Sequence, residues 1–286
     1  MSAGRPSAGL LPWALCFAAF GLFPLVYALA LSFMEMNPLR SDLTHFVGLA
    51  NYARALASPS FWHALRTTVI FVVGTLPVTL ILAYFVAALL GRIRRGESFF
   101  RAAVFFPATL SMVVIALVFK SLYAEDGLLN GWLAATGLAR VHWLQDVRTA
   151  LPSIMLMDIW ASVGYYAILI LAGRKTLPAE QLEAARLEGL SAWQVERRIV
   201  LPHLRPVLLF VVLLNTIRSF QIFIEVFVLT RGGPLESTLT LVYHLYERAF
   251  YHFEMGYASA LAYLLLALVG IILLVQRRAL RPEPAA

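Results

Sequence analysis

The chain has 286 residues, 60% of them hydrophobic and only 14% charged, with a mean hydropathy of +0.77. A soluble domain carries about 25% charged residues, so this composition excludes a soluble globule and indicates a membrane protein. The net charge of +7 does not signal nucleic acid, because the arginines sit in loops that flank apolar runs.

The first apolar run covers residues 10–33 and holds the single Cys16, which excludes an internal disulfide and a cysteine metal site. Arg5 precedes the run, and Ala28-Leu29-Ala30 has the form of a signal-peptidase site. The run exceeds the roughly 7–15 residues of a signal h-region and reaches the roughly 20 that a membrane span needs, so it predicts a retained helix. Residues 35–63 are polar, with turn signals at Asn37-Pro38 and Ser58-Pro59 and an amphipathic segment over 51–56. The second run, 65–90, contains Gly74 and Pro77, which membrane helices tolerate. Arg92, Arg94 and Arg95 follow it. The third run, 99–123, has Pro107 near its start, and Glu125-Asp126-Gly127 reads as the turn that ends it rather than as a metal site. In the fourth run, 151–172, Asp158, Ser162 and Tyr165 share one face. The fifth, 206–229, carries Asn215, Arg218, Ser219, Gln221 and Glu225, and a 100° step puts Asn215, Arg218, Ile222 and Glu225 on one broad side. The sixth, 257–275, is closed by Gln276, Arg277 and Arg278. These runs predict an all-α membrane protein with six transmembrane helices. Arginines cluster around 92–101, 174–205 and 277–281, so the positive-inside rule puts those segments and both termini in the cytoplasm.

Between the fourth and fifth runs lies the longest strongly polar stretch. Pro178 suits a first helical turn, and Gly189 fits the left-handed position after a helix. Ser191 and Gln194 form a capping box that starts a second helix, on which Ala192, Val195 and Ile199 share a face. Leu201-Pro202 is expected to end that helix. A charged helix-turn-helix of this kind suits a docking knob for another protein; a solvated connector is the plain alternative.

The spacing Glu183-Ala184-Ala185, Gly189, Ile199-x-Leu201-Pro202 resembles the EAA loop of permease subunits in binding-protein-dependent ABC importers. Leu229-Thr230-x-Gly232-Gly233-Pro234 and Met255-Gly256-Tyr257-Ala258-Ser259-Ala260 resemble the sugar branch of that family, which includes maltose, lactose and glycerol-phosphate permeases. Glu188, Leu190 and Arg231 depart from the usual aspartate, alanine and small residue. The resemblance implies a type I importer fold, with residues 1–64 as first helix and loop, 65–276 as permease core, a coupling loop over 178–202 and a tail over 277–286. It implies that Glu183, Ala184, Ala185 and Gly189 couple to the ATPase, with Glu183 paired to an arginine of that partner. The alternative for Glu183 is a local pair with Arg186. Sugar contacts are implied for Asp158, Ser162, Tyr165, Arg218, Ser219 and Ile222, beside Asn215 from the helical pattern. A charge at mid-bilayer costs roughly 2.5–3.5 kcal/mol on insertion scales and usually pairs or marks a pathway, so an Asp158–Arg218 bridge is the alternative.

No phosphate-binding loop or nucleophile elbow occurs, so catalytic residues, metal ligands and cofactors are not expected in this chain. The resemblance implies ATP and Mg in two partner ATPase subunits, a second permease subunit forming a heterodimer, and a solute-binding protein that delivers a sugar or sugar-like solute. A bacterial or archaeal inner-membrane location follows. The competing expectation is an ion-driven secondary transporter with Asp158 and Glu225 as a relay.

Overall fold

The structure is a computed structural model that describes residues 10–40, 44–93 and 95–279. Arg5, Arg94, Arg281, the end of the tail and the side chain of Arg186 lie outside the described residues.

The regular structure of the described residues is helical apart from a ribbon in which Met34–Glu35 (β1) pairs antiparallel with His45–Phe46 (β2). Helix α1 is Leu11–Ser32, α2 is Ala50–Ala57 and α3 is Pro59–Leu90. Then follow α4 (Glu97–Thr109), α5 (Met112–Leu122), α6 (Leu128–Ala135), α7 (Ala150–Lys175) and α8 (Ala179–Leu187). After these come α9 (Ala192–Val195), α10 (Leu201–Phe220), α11 (Ile224–Leu229), α12 (Leu241–Phe250) and α13 (Met255–Ala279). Among the described residues five segments are long and apolar enough to cross a bilayer: α1, α3, α7, the run Ala192–Leu229 and α13. The expected third span is not one straight helix. It is the pair α4 and α5, bent by 92°, and it makes a sixth span only if the pair crosses as one element.

The bend has a local cause. Pro107 removes a helical N–H, and the Thr109 hydroxyl donates to the Phe106 carbonyl at 2.7 Å, competing for a backbone acceptor. Leu110 and Ser111 are extended, and α5 starts afresh. The fifth span is likewise interrupted between Phe220 and Ile224.

Pro202 does not end its helix, contrary to expectation. A proline ring clashes with the carbonyl four residues earlier. Here the chain widens into a π turn over Glu196–Val200, and Leu201 donates to the Glu196 carbonyl across five residues. The helix then continues through Pro202. The same device precedes Pro24, where α1 widens over Ala18–Leu22.

The chain divides into two compact units. One comprises Met1–Trp62 and His244–Leu268. In it Asn51 donates to the Ser32 and Met34 carbonyls at 3.0 and 2.9 Å. Arg54 pairs with Glu254 at 2.7 Å and lies over the Tyr257 ring. The other unit comprises His63–Tyr243 and Val269–Ala286. Its core brings together Ala83, Ala87 and Leu90 of α3, Tyr166, Ala167, Ile170 and Leu171 of α7, and Val200, Leu204 and Val211. Small residues let membrane helices approach closely, since lipid supplies no hydrophobic drive between them. Gly164 is a close case between two helices: a Cβ there would lie 1.9 Å from the Val104 carbonyl oxygen on α4.

Candidate functional site

Within the second unit α4 and α10 both pack against α7, and α5 packs against α11. Near the α4–α5 bend they leave a cavity of about 370 Å³, bordered by Pro107, Met112, Ser162, Tyr165, Leu214 and Arg218. A second cavity of about 320 Å³, bordered by Gln221, Ile222 and Glu225, shares Met112, Leu214 and Arg218 with the first.

The seven expected pathway residues separate into two sets. Ser162, Tyr165, Arg218 and Ile222 line the cavities. Asp158, Asn215 and Ser219 are buried behind them. Arg218 Nη2 lies 2.8 Å from Asp158 Oδ1 and 3.6 Å from Glu225 Oε1. The Asp158 side chain is 4% exposed and that of Arg218 34%, so the bridge is closed on the Asp158 side and open on the other. The alternative role of Asp158, a bridge between helices, is therefore present. Ser219 donates to Asn215 Oδ1 at 3.2 Å, and Ser162 to the Asp158 carbonyl at 2.7 Å. Among the described residues Asp158 Oδ2, Asn215 Nδ2 and Arg218 Nη1 are buried without a hydrogen-bond partner. Burial of unpaired polar atoms is costly, so these three mark the cluster as more than apolar packing. No group of His, Cys, Asp and Glu able to hold a metal occurs among the described residues.

The coupling loop folds as its residue types dictate. Gly189 has φ +76°, and Leu190 donates across it to the Ala185 carbonyl at 3.1 Å, the six-to-one bond of a glycine-terminated helix. Ser191 and Gln194 close the capping box in both directions. The two alanines differ: Ala184 is exposed beside Glu183, whereas Ala185 is buried within the chain. Sequence reasoning missed Leu187 and Trp193, which are 90% and 68% exposed on this loop. Large apolar residues in a polar stretch were the available signal.

It also missed a polar joint beneath the loop. Glu196 accepts from Arg174 and from the Tyr84 hydroxyl. It thereby joins the π turn to α7 and α3. No periodicity pairs residues 84, 174 and 196, so only the fold could bring them together. Leu177, Leu182 and Val195 pack against the core described above, which anchors the loop to the same helices.

The glycine motif after α11 is a tight loop pinned by threonines. Thr230 and Thr238 hydroxyls meet at 2.7 Å, and Thr238 donates to the Gly233 carbonyl at 2.7 Å. Arg231 has φ +51°, a conformation that few side chains favour.

Comparison with known proteins agrees with this geometry. The lactose transport system permease protein LacF of Rhizobium radiobacter is 33% identical over 270 residues, covering 92% of this chain and 90% of that protein. The arabinooligosaccharides transport system permease protein AraP of Bacillus subtilis is 32% identical over 271 residues, covering 92% and 84%. In fold, the chain resembles a crystal structure of a bacterial ABC transporter involved in the import of the acidic polysaccharide alginate. That match has a TM-score of 0.86 at 20% identity and covers 98% of this chain and 96% of that one. The ion-driven alternative gives way to these relationships. Residues 20–282 match the family described as binding-protein-dependent transport system inner membrane component, and the chain belongs to that family of ABC transporter permeases.

Proposed function

We propose that this permease carries a sugar or sugar-like solute, received from an extracytoplasmic binding protein and moved at the expense of ATP hydrolysed by two separate ATPase subunits. A second, different permease chain completes the pathway, and both termini of this one face the cytoplasm. One observation carries the reading. The cavity that offers a tyrosine, a serine and a guanidinium is built on α7 and α10, the two helices that the coupling loop joins. Aromatic faces and hydroxyl partners suit a sugar ring, and movement of the loop would be passed directly to the helices that line the cavity. Rigid reorientation of helices around a central site is the common form of alternating access. The sugar-transport relatives favour the same solute class. Glu183 and Ala184, with the exposed Leu187 and Trp193 of the same loop, supply the docking face, and Gly189 sets its angle.

The test is the reconstituted complex in vesicles, with lactose and arabinotriose as first probes. Uptake should require ATP and the binding protein. Gly189→Val should abolish uptake, because a β-branched side chain is strained at positive φ. Glu183→Ala should weaken co-purification of the ATPase, through loss of a charge-assisted bond of about 1.5–3 kcal/mol. Sugar binding by the soluble receptor should be unchanged in both. Normal uptake and normal co-purification in both variants would reduce the loop to a connector.

A further inference from the structure

The pathway cluster holds one cation and two carboxylates, and the fold pairs the cation with each carboxylate. Arg218 is a shared wall of both cavities, and its Nη2 faces Asp158 at 2.8 Å and Glu225 at 3.6 Å. A guanidinium stays charged in proteins. With both carboxylates ionised the three groups sum to one negative charge; with one protonated they sum to zero. In neither state is a positive charge left over for a solute. Among the residues that line the two cavities Arg218 is the one cation and Glu225 the one anion.

An acidic solute therefore meets two obstacles. At the guanidinium it meets a charge that Asp158 and Glu225 already balance, so its own charge stays uncompensated. On the way it passes Glu225, which lines the second cavity, and like charges in a low-dielectric interior repel strongly. A neutral solute meets neither. It finds donors and acceptors without a charge imbalance: Ser162 and Tyr165 offer hydroxyls beside the apolar walls of Met112 and Leu214, and the Arg218 side chain is partly exposed. Resting on the sugar-permease reading above, we infer that the pathway of this chain is selective for neutral polyhydroxylated solutes, and that Asp158 and Glu225 exclude solutes bearing a carboxylate or phosphate by compensating Arg218. Asp158 lies on α7, Arg218 on α10 and Glu225 on α11, so the charge balance is assembled from three separate helices.

The full transporter complex, purified in detergent without its binding protein so that receptor preference drops out, is titrated calorimetrically. The probes are neutral di- and trisaccharides and the same sugars oxidised to uronates at C6. The wild type should bind at least one neutral saccharide, and bind its uronate at least about tenfold more weakly, a lower bound for one unopposed charge at several ångströms. Asp158→Asn combined with Glu225→Gln leaves Arg218 uncompensated and should raise the uronate-to-neutral affinity ratio by about tenfold or more. If the double variant fails to assemble, the two single variants decide, and at least one must raise the ratio. A wild type that prefers the uronate, or a ratio unmoved by every variant, overturns the charge-compensation inference and leaves the sugar reading standing. Binding of neither class by wild type and variants overturns both.

Discussion

Glu196 joins three helices through two partners, and its side chain and that of Arg174 are each under one fifth exposed. Glu196→Gln keeps the volume and an acceptor but removes the charge that Arg174 faces. The expected loss is about 1.5–3 kcal/mol, the range for hydrogen bonds to charged groups, read as a lower melting temperature of the detergent-solubilised protein. If the joint also transmits movement, ATP hydrolysis should continue while uptake per ATP falls; unchanged melting and unchanged coupling would leave Glu196 without a role. His244, on α12, offers a second residue-scale test. It is buried, and its Nε2 has no hydrogen-bond partner among the described residues. Burial lowers its pKa from 6.5 to about 4, with Arg248 and His252 acting in the same direction and Glu254 opposing. The folded protein therefore binds fewer protons than the unfolded chain between those values. The stability this contributes is complete above pH 6.5 and is lost as pH falls through about 4. Its full size is roughly 3 kcal/mol. Thermal melting between about pH 4 and pH 7 should show a shallower acid-side loss for His244→Phe than for the wild type. Parallel curves for the two proteins would count against the assignment. At this scale the turn at Gly189 and the capping box at Ser191 were legible in the sequence, because each is set by residues within three or four positions of one another. The Glu196 joint was not, since its partners lie 22 and 112 residues away.

Among the elements, the packing of α4 on α7 depends on one missing side chain. A Cβ at Gly164 would overlap the Val104 carbonyl, and backbone yields less readily than a flexible side chain. Gly164→Ala should force the two helices apart and cost about 1–3 kcal/mol, as overpacking generally does. Because the same helices border the cavity with Pro107, Ser162 and Tyr165, uptake should fall along with the melting temperature. A variant with unchanged melting temperature would show that the helices part without penalty. Span positions were legible from hydropathy, with ends displaced by a few residues. Breaks within spans were not. The fate of a proline illustrates why: Pro107 stands shortly before a 92° bend, whereas Pro202 and Pro24 are accommodated by π turns that keep the helix running. The residue type is the same; the backbone around each proline differs, extended after Thr109 and widened into a π turn before Pro24 and Pro202.

At the level of the whole molecule, the bent pair α4–α5 decides the topology. If it crosses the membrane as one element, the connection after it is outside and the coupling loop inside; if it dips in and returns, both are reversed. The positive-inside rule favours crossing, since Arg197 and Arg198 lie in the coupling loop and Arg174 and Arg205 flank it. In a background with Cys16 replaced, His45→Cys and His142→Cys should react with an impermeant thiol reagent in intact cells, and Leu187→Cys should react only after permeabilisation. Labelling of Leu187→Cys in intact cells, with protection of His142→Cys, would establish the re-entrant arrangement. By itself the sequence determined that this is a helical membrane protein, where its apolar spans lie, and that it carries an EAA loop, because composition, hydropathy and capping act over short stretches of chain. Only the tertiary structure decided that Asp158, Arg218 and Glu225 form one cluster, that Asn215 and Ser219 stand behind the cavities rather than in them, and that Glu196 ties the loop to α3 and α7. Those are contacts between residues far apart in the chain, and no local pattern encodes which faces of different helices will meet.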